Sequence, residues 1–481
     1  MNSSKFLRIL KKMFLWTVLI SLLTLHTSSV VLAVSVSEDA FSTAEVTELQ
    51  ILDYVIGGGT GDNDHHVLAL ENGETSKLLY LTSPDGDSNF TSTTLKSSIT
   101  SFGKANLLLD SGGDPHVVWT EGQGGGATLT YYKESSSATW YSTITVTSTT
   151  STADLPGFAL FETAGGTDYS GKEGVDNPII FLCDSARGTD LVYYTVADSS
   201  GTGNSLDFID SPYTVIGSNG SNCADVAVAV DTNDSLLLLG LGQESGDTGT
   251  IFTCDQHSGW ACQDDLVTGV YSYDAQGYGR NWKDSLDLVN GGGGNFFGLF
   301  LSGNSGDTST AVKIMKSSNG NWGSPVTIAS GADIGETNAH IGVDDTLSRL
   351  WVTYFDENND NLYIAYSDDS GTTWTTASSD STLKIDTSMS IDNTAPESYA
   401  NIAFDSAATN VLYVAASEHL GSNDYYAARY KITDLPAQSG GSSVPEFSTY
   451  VYIITFLIGF ALIQHKFNSP NFPGQSPFAG A

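Results

Sequence analysis

Three short sequence lines recur in a fixed order through most of the 481 residues. The first is an apolar run closed by an acidic or amide residue: LQILD (49–53), NLLLD (106–110), FALFE (158–162), AVAVD (227–231), LDLVN (286–290), HIGVD (340–344) and NIAFD (401–405). The second is HVLALE (66–71), HVVWTE (116–121), IIFLCD (179–184), LLLLGL (236–241), FFGLFL (296–301), LWVTYF (350–355) and VLYVAA (411–416). The third runs into a polar turn: YLTSPDGDSNF (80–90), YYKESSSATW (131–140), YYTVADSSGTG (193–203), FTCDQHSGW (252–260), IMKSSNGNW (314–322) and AYSDDSGTTW (365–374). Apolar runs this short, bounded by Gly, Asp, Asn and Ser, read as strands. No stretch between about residues 37 and 436 carries a helical period.

A unit of four short strands cannot bury both faces of its own sheet. Packed radially, each sheet covers the next, and closing the ring removes most free edges. Seven first lines therefore predict an all-β, seven-bladed β-propeller of four-stranded antiparallel blades over 37–436. Six blades is the alternative if the N-terminal unit is miscounted, and an elongated array of β-sandwiches is the competing architecture. The seventh third line, YYAARYKI (425–432), lacks both the turn and a fourth strand. The segment Ser37–Val46 is expected to supply that strand and close the ring.

The two ends carry a different signal. Lys5, Arg8, Lys11 and Lys12 precede an apolar run, Met13–Leu25, and then Val31-Leu32-Ala33. This is the order of a secretory signal helix cleaved after Ala33, with an uncleaved N-terminal anchor as the alternative. Ala437–Ser443 is a Gly/Ser linker, followed by Val444-Pro445-Glu446-Phe447, the apolar run Val451–Ile463, and His465-Lys466. Residues 447–466 are expected to form a membrane helix at the short end of the spanning range, and 467–481 a disordered tail. The chain is thus expected to be exported and anchored at the cell surface.

Charge and cysteines agree with export. The first 33 residues hold four of the 19 basic residues and no acid, so the remainder carries 15 basic against 55 acidic residues. A body with a net charge of −40 will not bind nucleic acid by neutralising phosphates. It suits a solvated extracellular surface or divalent cations. Cys254 and Cys262 bracket one turn and can bridge a hairpin; Cys183 and Cys223 would be the other pair. Four cysteines allow three connectivities, and export permits disulfides.

Ser367–Trp374 reads S-x-D-x-G-x-T-W. Asp369 can accept the turn's own N–H groups, Gly371 can take positive φ, and Trp374 can fold back beside the hairpin, opening a further strand. With Ser367, these residues resemble the Asp-box, or bacterial neuraminidase repeat, of sialidase-like β-propellers. Lys133–Trp140 and Lys316–Trp322 keep the Trp without the Asp, and Ser83–Phe90 holds Asp85 and Gly86 in a shifted register. The resemblance implies that the Asp-box is structural. It also implies that ligands meet the opposite face, built from second-to-third-strand loops and blade-to-blade loops. The C-terminal order of motif, apolar run and basic residue resembles PEF-CTERM or PEP-CTERM sorting tails, which implies a sortase-like processing partner. Phe467–Ala481 after the basic residue depart from that pattern.

On the implied ligand face, the loop Val270–Lys283 carries Tyr271, Tyr273, Tyr278, Arg280 and Trp282, and Arg187 lies in another such loop. Aromatic side chains at a rim offer stacking platforms for sugars or peptide side chains; the alternative is that they plug the gap between blades. Sialidase chemistry needs three arginines around a carboxylate, a Tyr–Glu nucleophile pair and an acid Asp. The F/Y-R-I-P motif of that family is missing, and beyond the signal only Arg187, Arg280, Arg349 and Arg429 occur. Glu121, Glu244, Asp356, Glu357 and Glu418 could serve a two-carboxylate glycosidase or lyase, but their abundance assigns no catalytic residue. Asp356-x-Asn358-x-Asp360 resembles the start of a calcium loop without its Gly and Glu. Asp62, Asp64, His65 and His66 form a second cluster, expected in a loop. These readings favour a non-catalytic surface propeller binding a glycan or protein. A carbohydrate hydrolase or lyase and a structural surface-layer component are the alternatives.

Overall fold

The computed structural model describes residues 35–435, less most loops between strands, of which 163–177, 196–212, 272–285 and 387–398 are the longest. It is an all-β, seven-bladed propeller of four-stranded antiparallel blades. The inner strands are Leu49–Ile56, Phe102–Leu109, Phe158–Glu162, Asn222–Val230, Leu286–Asn290, Ile334–Asp344 and Tyr399–Phe404, numbered here as blades 1 to 7. Each lies against the inner strands of both neighbours, and the last returns to the first. Blades 4 and 5 also share one strand pair, Val270 with Ser302.

The ring closes where the sequence predicts, a little earlier in the chain than Ser37. Ser35–Ala40 forms the outer strand of blade 7, paired with Asp424–Thr433 from Ser35↔Thr433 to Ala40↔Ala428. The expected signal helix at the N-terminus and the expected membrane helix over 447–466 lie outside the described residues. No helix among the described residues is long and apolar enough to cross a membrane.

Two structural faces follow from strand direction. We call the lower face the one bearing the turns from third to fourth strand, such as Ser367–Trp374; the upper face bears the second-to-third loops, such as Asp356–Asn361. The cores lie between blades. One such layer sets Leu49, Ile51 and Tyr54 of blade 1 against Phe41, Ala403, Tyr413 and Ala415 of blade 7. Another sets Phe297, Leu299 and Ile314 of blade 5 against Val352, Tyr354 and Ala365 of blade 6. Burying both faces of each sheet explains why the second strands are near-continuous apolar runs: all eight residues of Arg349–Asp356 are buried.

The lower turns share one device that the worn repeats preserve. An aromatic ring from each described turn wedges against the preceding blade. Phe90 packs on Phe41, with ring centroids 4.8 Å apart, and joins the layer with blade 7. Trp140 packs on Tyr80 at 5.2 Å, Trp260 on Phe181 at 5.8 Å, and Trp322 and Trp374 on the clusters of blades 4 and 5. The aromatic is what interblade packing needs, and it outlasts the Asp.

One expected strand is missing. Trp374 opens no strand; Thr375 makes a single bridge to Tyr366, and the outer strand of blade 6 is only Lys384–Asp386. The intervening residues Thr376–Asp380, polar except for Ala377, bond locally, with Asp380 capping a short 3-10 turn.

Candidate functional site

The chemistry-bearing residues that the structure brings together lie on the inner strands. An inner strand is a sheet edge, and its axial N–H groups have no strand partner. Carboxylates in the middle of these strands take that role. Asp53 accepts from its own neighbour Tyr54 N at 2.8 Å, from Leu107 N of blade 2 at 2.7 Å, and from Asn401 Nδ2 of blade 7 at 2.8 Å. Asp287 repeats the pattern, accepting from Leu288 N at 2.8 Å and Ile341 N of blade 6 at 2.9 Å, with His340 Nδ1 at 3.3 Å. Asp225 accepts from Val226 N at 2.9 Å, and its carboxylate holds Lys104 Nζ of blade 2 at 3.1 Å. That ion pair spans blade 3 and is almost wholly buried, both side chains being 7% exposed.

Asp53, Asp225, Asp287, His340 and Asn401 thus give five of the seven inner strands a polar residue at the seam. The sequence reading missed their role. Most of them stand inside the repeated first lines, but not in one column: Asp53 is fifth in its line, Asp287 second, and His340 and Asn401 first. The cause is a recurring break in pairing: the register shifts between Ile51 and Asp53, between Phe102 and Ala105, between Cys223 and Asp225, and between Ile334 and Ala339. A bulge re-aims the side chain that follows it and destroys the period of two. The available signal was one polar residue inside an otherwise apolar run.

A second cluster tightens the closure between blades 1 and 7. His65 and His66 are not in a loop, as their sequence context suggests, but are the first two buried residues of a strand. Tyr54 Oη and Arg429 Nη1 both approach His65 Nδ1, at 2.5 and 3.4 Å. Arginine can only donate, so Nδ1 is the acceptor and the ring is neutral. Burial, then the Arg429 charge, push the His65 pKa down to about 3. His66 donates Nε2–H to the Gly57 carbonyl at 2.9 Å and accepts from Tyr80 Oη on Nδ1 at 2.5 Å. His116 and Tyr131 make the equivalent pair in blade 2 at 2.7 Å. These histidines are packing elements.

The remaining sequence candidates divide. The Ser367 and Asp369 side chains bond at 2.8 Å, and Asp369 also accepts from Thr372 N, Thr373 N and Thr373 Oγ1. Gly371 has φ +79°, and half-buried Trp374 donates Nε1–H to its carbonyl at 3.2 Å. Beside this turn, buried Arg349 donates to Asp368 at 2.5 Å and stacks on Tyr366. Cys183 is bonded to Cys223, joining blade 3 to blade 4, and Cys254 to Cys262 across adjacent strands. Asp356 ends a strand and accepts from Asn359 Nδ2 at 2.8 Å, while Asn358 and Asp360 lie outside the described residues. Among the described residues no group of three or more His, Cys, Asp or Glu is placed to hold a metal. Arg187, Tyr273, Tyr278, Arg280 and Trp282 lie outside the described residues. The backbone of Tyr271 ends the outer strand of blade 4 opposite Thr248.

Fold and seam define a seven-bladed β-propeller. No protein-family model matches the chain, and no curated protein matches it. Among solved structures it is similar to a polysaccharide lyase of family PL25, an ulvan lyase, at 12% identity and TM-score 0.45, covering 81% of this chain and 95% of that one. It is also similar to the α-L-arabinanase of Penicillium chrysogenum at 9% identity and TM-score 0.41, covering 80% and 96%. The Aleuria aurantia lectin aligns at 10% identity and TM-score 0.40, covering 71% and 98%. Likeness this distant carries no ligand or activity over to this chain.

Proposed function

We propose that this chain is an exported, membrane-tethered propeller of the sialidase-like kind. In this reading it binds a glycan or protein partner through its upper-face loops and does not catalyse. The observation that carries this reading is the engagement of the inner-strand carboxylates. Asp53, Asp225 and Asp287 each accept backbone N–H groups, and Lys104, His340 and Asn401 are held against them. Groups so engaged hold the blades together and are poorly disposed to serve as acid, base or nucleophile. Recognition is then left to the loops, where Tyr271, Tyr273, Tyr278, Arg280, Trp282 and Arg187 supply stacking and ionic groups. Two disulfides support export to an oxidising compartment. The turn at Asp369 and Gly371 supports the superfamily, and the tail Val444–Lys466 supports tethering with sortase-like processing as a further step.

The test sets the purified full chain, in mild detergent, against a glycan array, candidate surface proteins and a panel of hydrolase and lyase substrates. Binding without turnover is expected. Turnover abolished by mutating one upper-loop carboxylate, such as Glu121 or Asp356, would replace this reading with the carbohydrate-active enzyme. Neither binding nor turnover would leave a structural surface-layer role.

A further inference from the structure

We infer that the seam between blades 1 and 7 is an acid-sensitive latch, at which a proton on His65 parts the two blades before the rest of the ring loosens. This seam joins the first blade to the last. The chain crosses it only by way of Ser35–Ala40, a strand held in blade 7 by its pairing with Asp424–Thr433. The other links across it are side-chain bonds and apolar packing. Ile51 N donates to Ser417 Oγ at 3.0 Å, Asn401 Nδ2 reaches Asp53 and the Tyr54 carbonyl, and Arg429 reaches His65. Opening here requires no strand to leave its own sheet.

His65 belongs to blade 1 and packs edge-on against Tyr413 of blade 7, with ring centroids 4.6 Å apart. Its Nδ1 accepts from Tyr54 of its own blade and from Arg429 of blade 7. Arg429 is itself buried and lies over the rings of Phe90 and Tyr413, so its charge is held at the seam. A proton on Nδ1 removes the acceptor and sets a second buried cation against the guanidinium. The other groups acting on the ring, His66 and Lys431, are also cations when charged. Asp64, the preceding residue, acts on His66 instead. Ser83 stands opposite His65 in the third strand, and Asp39 of the closing strand stands opposite Arg429.

The other buried histidines respond differently. His340 crosses the seam between blades 5 and 6 to Asp287, where a proton creates an ion pair. His66 has the Gly57 carbonyl and Asp64 to receive the charge. His116 bonds Tyr131 within blade 2. Acid thus weakens the seam between blades 1 and 7 and strengthens that between 5 and 6. His65 titrates near 3 in the closed ring and near 6.5 once solvated. Opening is therefore favoured as pH falls below 6.5, on the order of a hundredfold by pH 4.5.

The experiment introduces one thiol at a time. All four cysteines are in disulfides, so Ala415→Cys places the sole free thiol in the layer between blades 1 and 7. Ala365→Cys does the same between blades 5 and 6; both alanines are fully buried. Reaction of the full chain with dithiodipyridine is timed at pH 7.5 and pH 4.5, relative to an exposed cysteine in a short peptide. Ala403→Cys, in the same layer as Ala415, replaces Ala415→Cys if that variant has a lowered midpoint at pH 7.5. The relative rate at the first site should rise tens of fold to a hundredfold in acid, with little change at Ala365→Cys. Adding His65→Gln, which keeps an acceptor but takes no proton, should abolish most of the rise. Where that variant is unstable at pH 7.5, Arg429→Gln should reduce the rise severalfold. An equal rise at both sites, no rise at the first, or a rise that survives these substitutions would overturn the latch.

Discussion

At the scale of single residues, the turn around Asp369 and the buried His65 make separable predictions. Burial alone would raise the Asp369 carboxyl, but bonds from Thr373, Ser367 and Thr372 outweigh it and hold it below the usual range. Asp369→Ala should cost about 1–2 kcal/mol, because it strips turn N–H groups without opening a cavity. Trp374→Ala should cost about 2–3 kcal/mol, less than a fully buried aromatic, since its ring is half-exposed. Denaturant titration of both variants checks the order. His65 acts through pH. Its folded pKa lies near 3, below the ordinary 6.5. It therefore contributes stability that is fully present above pH 6.5 and lost as pH falls toward 3. At pH 5 the unfolded chain gains about 2 kcal/mol from protonating this one group. Stability of the His65→Gln variant should thus fall less steeply between pH 7.5 and pH 5 than that of the natural protein. Parallel slopes would remove His65 from the acid response.

At the scale of the strand, the inner edge decides how blades join, and it shows what a sequence can and cannot reveal. The blades themselves were legible: apolar lines such as LWVTYF and NLYIAY mark strands buried on both faces, and their repetition fixes a ring. The closing strand was legible because blade 7 has a third line and no fourth. The seam was not. Leu52 and Ala224 are bulged, so Asp53 and Asp225 leave the alternation that aligns the repeats. Whether Lys104 finds Asp225 depends on how the inner strands of blades 2 and 4 face each other past blade 3, which no local pattern encodes. The close spacing of Cys254 and Cys262 did point to their bond and left Cys183 to Cys223, as found, but not to the fact that the second bond joins two blades. The seam yields a double-mutant prediction. Lys104→Met should cost about 3–5 kcal/mol by leaving a buried carboxylate without its cation. The double variant Lys104→Met, Asp225→Leu should recover much of that loss, less the bond to Val226 N. Equal losses in the single and double variants would mean the pair does not couple.

At the scale of the whole ring, two kinds of link hold the fold, disulfides in and between blades 3 and 4 and the closing strand of blade 7, and they should fail differently. Covalent links act on the unfolded chain. Cys254 and Cys262 are eight residues apart and Cys183 and Cys223 forty, so on the loop-entropy model their removal should cost about 2.5 and about 4 kcal/mol. Serine substitution of each pair, followed by calorimetry, tests that order. The strand Ser35–Ala40 acts on the folded ring instead. It covers the edge of Asp424–Thr433 and buries residues of the layer between blades 6 and 7, where Tyr430 and Ile432 are almost fully enclosed. Without it that edge presents a row of unpaired N–H and C=O groups beside apolar side chains, which is a template for pairing with another chain. Deleting Ser35–Ala40 should therefore do more than lower the unfolding midpoint. The truncated protein should self-associate, and a synthetic peptide of those six residues, added in excess, should restore the monomer in size-exclusion chromatography. A truncated protein that stays monomeric, with the midpoint of the full chain, would show that the ring closes without its N-terminal strand.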